Sequence, residues 1–453
     1  MKQILLVTFV SLLGINAFAQ TPEQLDEKEK LKAEIKKELK EELKSEVKKE
    51  IAEENKSLFN WSKFSLRGYG VVNYYNYKYD TDVNLKDKFD AERLNMYLEY
   101  KFNDWINFKS EIEFEHGGTG STLELDTQEE FGEYEQEIEA GGEVKIEQIH
   151  INFAINPALN IRVGRMKVYF GLAQNLDGPT RYFTTHRQEM ENEILPLGWY
   201  ENGIEFHGTF AKNKLSYHFS ITNGLDASGF SSRGWIKDGY QQRFEMSTGE
   251  ALAFMGRLDY KFGTHKDTYF GIAGYIGDAA ANRPKNDMKE SAYVSIFEAH
   301  VTYNENHLRF NSIFLYGNIE NSDIVTAKNA NLSNNLGVKR TAVGKNALGY
   351  SAEAGYEILH LIKQDSKQML YPFMRYDYYD TMYDVEGTVV DKPRWERSAI
   401  TGGFNWFVHP QIVLKLQYQN RRLGSENYNP TTLLYTGEKQ QENTFSTGIG
   451  FTF

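Results

Sequence analysis

Three carboxylates, Glu111, Glu113 and Glu115, occupy every second position of one short stretch. On an extended chain such neighbours share a face about 6.5 to 7 Å apart. That separation suits the paired acids of glycoside hydrolysis and equally the acidic wall of a channel. His150, His207, His218 and His300 fall on the polar positions of four alternating segments. They make a metal site only if the fold gathers them, and are otherwise separate wall histidines, so no metal ligand is assigned. The sequence holds no Gly-x-Ser-x-Gly, His-Glu-x-x-His or Gly-Lys-[Ser/Thr], the spacings that serve acyl transfer, zinc hydrolysis and phosphate binding. It has no Cys, which removes thiolate nucleophiles, thiolate metal sites and disulfides. An enzyme is therefore the weakest reading, and no cofactor is implied.

The elements that must position these residues are strands. From Trp61 onward the apolar period is two: Leu94, Met96, Leu98, Tyr100 and Phe102 alternate with Arg93, Asn95, Glu99 and Lys101. Ile106, Phe108, Ile112 and Phe114 alternate with Asn107, Lys109, Glu111 and Glu113, and only a tight turn at Asn103-Asp104 separates the two runs. Sixteen strands are predicted, beginning near Lys63, Glu92, Trp105, Lys145, Leu159, Glu201, Lys214, Ala251, Thr268, Ala292, His307, Ala347, Gln368, Trp395, Pro410 and Asn443. Long connections, of about 16, 28, 32, 28, 15, 29, 14 and 21 residues, alternate with short ones of about 2 to 8, the habit of outer-membrane barrels with tight periplasmic turns and long outer loops. A soluble sandwich has no reason to gather every long connection on one edge, whereas in hydrocarbon only closure satisfies the edge N–H and C=O groups. The fold class is therefore all-β, a sixteen-stranded antiparallel transmembrane barrel in contact with outer-membrane lipid.

The first 60 residues differ in kind. Lys2, the apolar run Ile4 to Ile15 and Ala17-Phe18-Ala19 have the order of a cleaved signal peptide, assigned to residues 1–19. Residues 20–60 are rich in Lys and Glu, with Leu31, Ile35, Leu39, Leu43, Val47 and Ile51 recurring every four residues, which predicts a charged periplasmic helix, a spacer or a loose coiled coil. Residues 61–453 form the barrel domain. No other apolar run approaches the about 20 residues of a spanning helix. The net charge of −12 excludes a basic nucleic-acid footprint.

One stretch narrows the family. Ile161 to Gly171 reads Ile-Arg-Val-Gly-Arg-Met-Lys-Val-Tyr-Phe-Gly, and apolar parity switches at Gly164, from Leu159, Ile161 and Val163 to Met166, Val168 and Phe170. A bulge there would turn Arg165, Lys167 and Tyr169 into the lumen; alternatively the strand ends near Gly164 and leaves both cations at the outer rim. The stretch resembles the Gly-x-[Phe/Met]-Lys-x-Pro-Phe-Gly motif of the phosphate-selective porin O and P family of Gram-negative bacteria, with Tyr169 in place of the usual Pro. Asn202-Gly203-Ile204, Thr222-Asn223-Gly224 and Pro372-Phe373-Met374-Arg375-Tyr376-Asp377 extend the resemblance over about residues 60 to 453. It implies a water-filled diffusion channel, a homotrimer, and a third long loop folded inward as the constriction. It also implies that the terminal Phe453, closing the alternating run Phe445, Ile449 and Phe451, is the signal read by the barrel-assembly machinery.

That loop, about residues 169 to 200, carries Asp177, Arg181, His186, Arg187, Glu189, Glu191 and Glu193. Charged rings at a constriction select ions, so Arg165, Lys167, Tyr169, Arg181, His186, Arg187 and Glu189 are the constriction candidates, against the bland reading of a surface loop. Lumen-wall candidates are Arg67, Arg93, Lys101, Lys109, Glu111, Glu113, Arg257 and Lys415. Both signs are present, so the family's phosphate preference does not transfer on charge alone. The expected function is passive diffusion of small hydrophilic, possibly anionic, solutes. The alternatives are a structural or adhesive barrel without an open pore and a barrel-borne hydrolase.

Overall fold

The computed structural model describes residues 36–46, 61–126, 135–173, 175–196, 198–241, 247–332, 340–425, 428–429, 434–435 and 439–453. Residues 36–46 form an exposed helix in a unit separate from the barrel. The remainder of the predicted 20–60 helix and the predicted signal peptide lie outside the described residues.

Sixteen antiparallel strands close into a barrel. They are β1 (Phe64–Tyr79), β2 (Lys88–Lys101), β3 (Ile106–Asp126), β4 (Glu135–Asn156), β5 (Leu159–Lys167), β6 (Tyr200–Phe210), β7 (Leu215–Asn223) and β8 (Leu252–Lys261). The second half comprises β9 (Tyr269–Asp278), β10 (Tyr293–Glu305), β11 (Leu308–Ile319), β12 (Asn346–Tyr356), β13 (Met369–Asp384), β14 (Glu396–His409), β15 (Ile412–Leu423) and β16 (Gln440–Thr452). Each strand pairs with its chain neighbour, and β16 pairs with β1 to close the ring, Tyr69 opposite Thr452. At this seam the Phe453 ring lies over Gly68 and the Phe451 ring over Gly70, where any Cβ would overlap them. Gly68 and Phe453 exchange both backbone hydrogen bonds, at 3.0 and 2.9 Å.

Burial along the strands is inverted relative to a water-soluble protein. The apolar parity faces outward and is exposed, as in Val72, Phe254, Ile272 (49% exposed), Phe297 and Leu416, while Glu111, Glu298, Asp377, Thr401 and Ser446 on the other parity are buried. An apolar belt around a polar interior is stable only where the outer solvent is hydrocarbon. Exposed aromatic rings mark both edges of the belt: Phe102, Trp105, Phe210, Phe262 and Trp406 near the short turns, and Tyr293, Tyr316 and Tyr383 near the long connections.

The strand count and order match the sequence pattern, and the starts of β2, β4 and β16 fall earlier than expected, at Lys88, Glu135 and Gln440. The first two long connections are shorter than expected, because pairing continues past the apolar alternation. β1 runs to Tyr79 and β2 begins at Lys88, while β3 and β4 stay paired from Ile106↔Phe153 to Asp126↔Glu135. The 28-residue connection expected after β3, and the start of β4 near Lys145, are corrected by that ladder. On the opposite rim the β12–β13 connection, residues 357–368, is longer than these two outer connections and holds a one-turn helix, Leu359–Ile362. Long and short connections therefore do not alternate strictly.

Gly164 behaves as neither sequence alternative. The ladder passes through it without a register shift, His150 opposite Gly164 on one side and Gly203 on the other. Its φ of +132 is accessible to Gly alone. Beyond it alternation stops, and Arg165, Met166 and Lys167 are all buried.

Candidate pore constriction

The third long connection, residues 168–199, folds into the barrel. Its apolar side chains Val168, Phe170, Leu172, Leu176, Met190, Ile194, Leu195 and Trp199 share one cluster with Trp235 and Ile236 of the β7–β8 connection, Val325 of helix α2 (Ser322–Asn329) and the inner faces of β8 to β13. Helix α1 (Glu189–Ile194) lies in this loop. Met190 rests on Gly349, and Phe183 rests on Gly355 with its ring stacked at 5.2 Å on Phe373. A Cβ at either glycine would overlap the loop, so the wall admits it only by lacking side chains there.

Wall cations hold the loop by its backbone. Lys415 Nζ donates to the Tyr182 and Thr184 carbonyls at 2.8 and 2.7 Å, and lies 3.9 Å from the Tyr182 ring centroid. Arg309 donates to the Thr180 and Arg181 carbonyls at 3.3 and 2.6 Å, with its guanidinium over Phe183. Arg257 donates to the Gly171 carbonyl at 2.7 Å. Across the lumen, Asn73 of β1 donates to the Thr185 carbonyl, Gln417 of β15 accepts from the Thr185 N–H, and Ser446 of β16 meets the Thr185 hydroxyl. Strands from both sides of the ring thus grip one loop, which spans the lumen.

The charged candidates converge on compensated clusters. Asp177 of the loop accepts from Arg187 at 2.6 Å and lies 3.4 Å from both Arg93 of β2 and Lys167 of β5. Glu113 lies 3.7 Å from Arg187. Glu189 accepts from the Tyr379 hydroxyl at 2.5 Å, Gln419 at 2.7 Å and Arg421 at 2.6 Å, and Arg421 also meets Glu442. Arg181 pairs with Asp267 at 2.8 Å, and Glu193 pairs with Arg397 and Lys237. Arg165 donates to the Glu147 carbonyl, Tyr169 stacks 4.3 Å from His218, and the half-buried His186 adjoins Thr185. Glu191 accepts from the Leu172 and Ala173 N–H groups and so ties α1 to the loop's entry.

Among the wall candidates, Glu111 accepts from Asn95, Gln148 and the Tyr200 hydroxyl, and Lys109 lies over Tyr97. Arg67, paired with Glu99, and Lys101 are exposed at the short-turn mouth, away from the loop clusters. Of the wall histidines, His207 and His218 stack at 5.6 Å, whereas His300 sits with Asp259 and Glu298. The fold brings His207 and His218 together and leaves His300 apart with its own carboxylates, so the four do not gather at one point. Sequence reasoning missed Arg309, Arg375, Arg397 and Arg421, although each occupies the inward parity of its strand and Arg375 lies within the quoted Pro372–Asp377 stretch.

Below the loop, toward the short turns, a cavity of about 380 Å³ opens, lined by Lys214, Arg257, Lys261 and Lys266 against the single carboxylate Asp259, with His218 and Tyr169 on its wall.

A sixteen-stranded barrel with an inverted surface and a loop packed across its lumen is the architecture of an outer-membrane porin. The chain matches the phosphate-selective porin O and P family over residues 67–453, and it belongs to that family. An uncharacterised protein of Aquifex aeolicus is 26% identical over 359 residues, 78% of this chain and 74% of the relative. Among solved structures, the anion-selective porin from Comamonas acidovorans has a TM-score of 0.49 at 11% identity, covering 86% of this chain and 99% of that one. OmpF of Salmonella typhi, in complex with daunomycin, has 0.48 at 12% identity, covering 86% and 97%.

Proposed function

We propose that this porin passes small hydrophilic solutes by passive diffusion through a constriction set by residues 168–199, with a modest preference for anions imposed below the constriction rather than at it. The observation that carries the reading is the division of charge along the lumen. At the loop Arg93, Lys167 and Arg187 gather around Asp177, with Glu113 and Glu92 beside them, so three cations face three carboxylates. In the cavity beneath, Arg257 pairs with Asp259 at 2.9 Å and lies 3.8 Å from Glu298, and Lys214, Lys261 and Lys266 add three further cations to the lining. Such an imbalance raises the local anion concentration in a narrow, low-dielectric passage. Phosphate is one anion this would favour, without a dedicated ladder of unpaired cations.

The same reading includes a cleaved signal peptide over residues 1–19, a periplasmic charged segment over 20–60, insertion by the barrel-assembly machinery through Phe453, and a homotrimeric working form. No residue is assigned a catalytic role. Reversal potentials across a KCl gradient in planar bilayers test the central claim. The wild-type protein is expected to favour chloride, and combined Lys214→Glu, Lys261→Glu and Lys266→Glu changes are expected to move the potential toward potassium at nearly unchanged conductance. A wild-type channel that favours potassium would refute the reading.

A further inference from the structure

The short-turn rim holds a second cluster, unrelated to the loop. His307 sits in the two-residue β10–β11 turn, and Glu357 and His360 begin the unusually long β12–β13 connection. His360 Nδ1 lies 3.0 Å from Glu357 Oε2, and His307 Nδ1 lies 3.6 Å from the same oxygen. One donor atom from each of the three residues falls within 4.8 Å of the others. The imidazoles stack face to face, centroids 3.6 Å apart and planes 8° from parallel. Both rings thus converge on one carboxylate oxygen.

We propose that His307, Glu357 and His360 bind a divalent transition-metal ion of the zinc class at the rim that faces the periplasm in such barrels. Zinc–nitrogen and zinc–oxygen bonds of about 2.0 to 2.2 Å in a tetrahedron put neighbouring donors about 3.3 Å apart, and the two donor separations around Glu357 Oε2 bracket that value. Two imidazoles and a carboxylate suit zinc, copper or nickel, whereas calcium and magnesium prefer all-oxygen sets. The half-exposed His307 leaves the fourth position open to water. The parallel rings must splay so that each directs a lone pair at one ion, a rotation about the His307 and His360 side-chain bonds.

Two features prepare the site. Glu357 is fixed by backbone: Oε1 accepts from the Leu359 N–H at 2.7 Å and the Leu370 N–H at 3.3 Å, and Oε2 accepts from the His360 N–H at 3.1 Å. Such outer hydrogen bonds orient a ligand before the ion arrives. Independently, His307 takes φ +66, a left-handed conformation for which hairpin turns favour Gly or Asn. The Glu357 N–H donates to the His307 carbonyl at 2.8 Å and fastens the two turns together. A bound ion would clip the same turns through their side chains.

The test uses full-length, untagged protein in detergent. Zn²⁺ affinity is measured by competition with a chromophoric chelator, and Co²⁺ serves as a spectroscopic probe of coordination number. The wild type is expected to take one equivalent and to give an intense, four-coordinate Co²⁺ spectrum. His307→Asn, which keeps the left-handed turn, and His360→Gln are each expected to weaken binding at least about tenfold. Heat-modified gel mobility and single-channel conductance should be unchanged in both, which separates this site from the pore. Failure of the wild type to bind stoichiometrically, or full affinity in both variants, would overturn the proposal.

Discussion

Two of the outer connections began as similar stretches of non-alternating sequence and met opposite fates. Residues 168–199 hold ten or so large apolar side chains among their charges and are drawn into the lumen, where Phe183, Met190 and Ile194 find apolar wall positions and glycine gaps. The stretch from Gly117 to Glu143 is rich in Gly, Thr and acidic residues, with Leu123, Leu125, Phe131, Tyr134 and Ile138 as its large apolar side chains, and its backbone prolongs the hairpin to Asp126↔Glu135 instead. A chain segment with apolar surface to bury goes where it can bury it. A polar segment satisfies its backbone by pairing with itself. The side of the rim a loop takes is therefore set by its own composition together with the wall it faces.

That contrast can be broken most forcefully at the inward loop. Deleting residues 178–188 removes Phe183 and the carbonyls held by Lys415 and Arg309, and single-channel conductance should rise severalfold while the barrel still shows heat-modifiable migration. Phe183→Ala is expected to cost the docked loop about 3–5 kcal/mol, seen as a partial conductance increase and as new proteolytic cleavage within 168–199. Lys415→Met should cost about 1.5–3 kcal/mol, because it removes charged hydrogen bonds to two buried carbonyls. Its effect on conductance should be intermediate and should not add to that of Phe183→Ala, since both loosen one loop. The smallest effect belongs to the other region. Replacing residues 119–141 by a two-residue Asn-Gly turn should leave conductance unchanged within error, and a large change would mean that this hairpin also shapes the pore.

The barrel itself was legible because its code is simple. With period two and one apolar face, each strand from β5 to β15 announces itself within a few residues, and Leu159, His307 and Ala347 mark starts the structure shares to within about one residue. What the pattern does not encode is the pairing of β3 with β4 beyond Glu115, a backbone ladder that runs on to Asp126↔Glu135. Charge partners were hidden for another reason. That Arg187, Arg93 and Lys167 meet at Asp177 depends on where a loop lands, and no spacing within one strand reveals it. The rim histidines carry no strand signal, since His307 lies in a turn and His360 in the one-turn helix of the β12–β13 connection. Glu357-x-x-His360, whose two ligands are three apart, was the available signal.

The seam between β1 and β16 bears on how such a barrel comes into being. Tyr69 and Thr452 are paired neighbours separated by almost the whole chain, so this contact carries the highest loop-closure entropy in the molecule and is expected to form late. Until it does, fifteen ladders can be complete and two edges remain, each with a row of unpaired N–H and C=O groups that hydrocarbon will not solvate. Insertion is thus not gradual: a half-zipped wall has no stable place in the bilayer interior. The Phe451 and Phe453 rings over Gly68 and Gly70 act as the latch of that final step, and a bulky residue at Gly70 should slow closure more than it weakens the finished barrel.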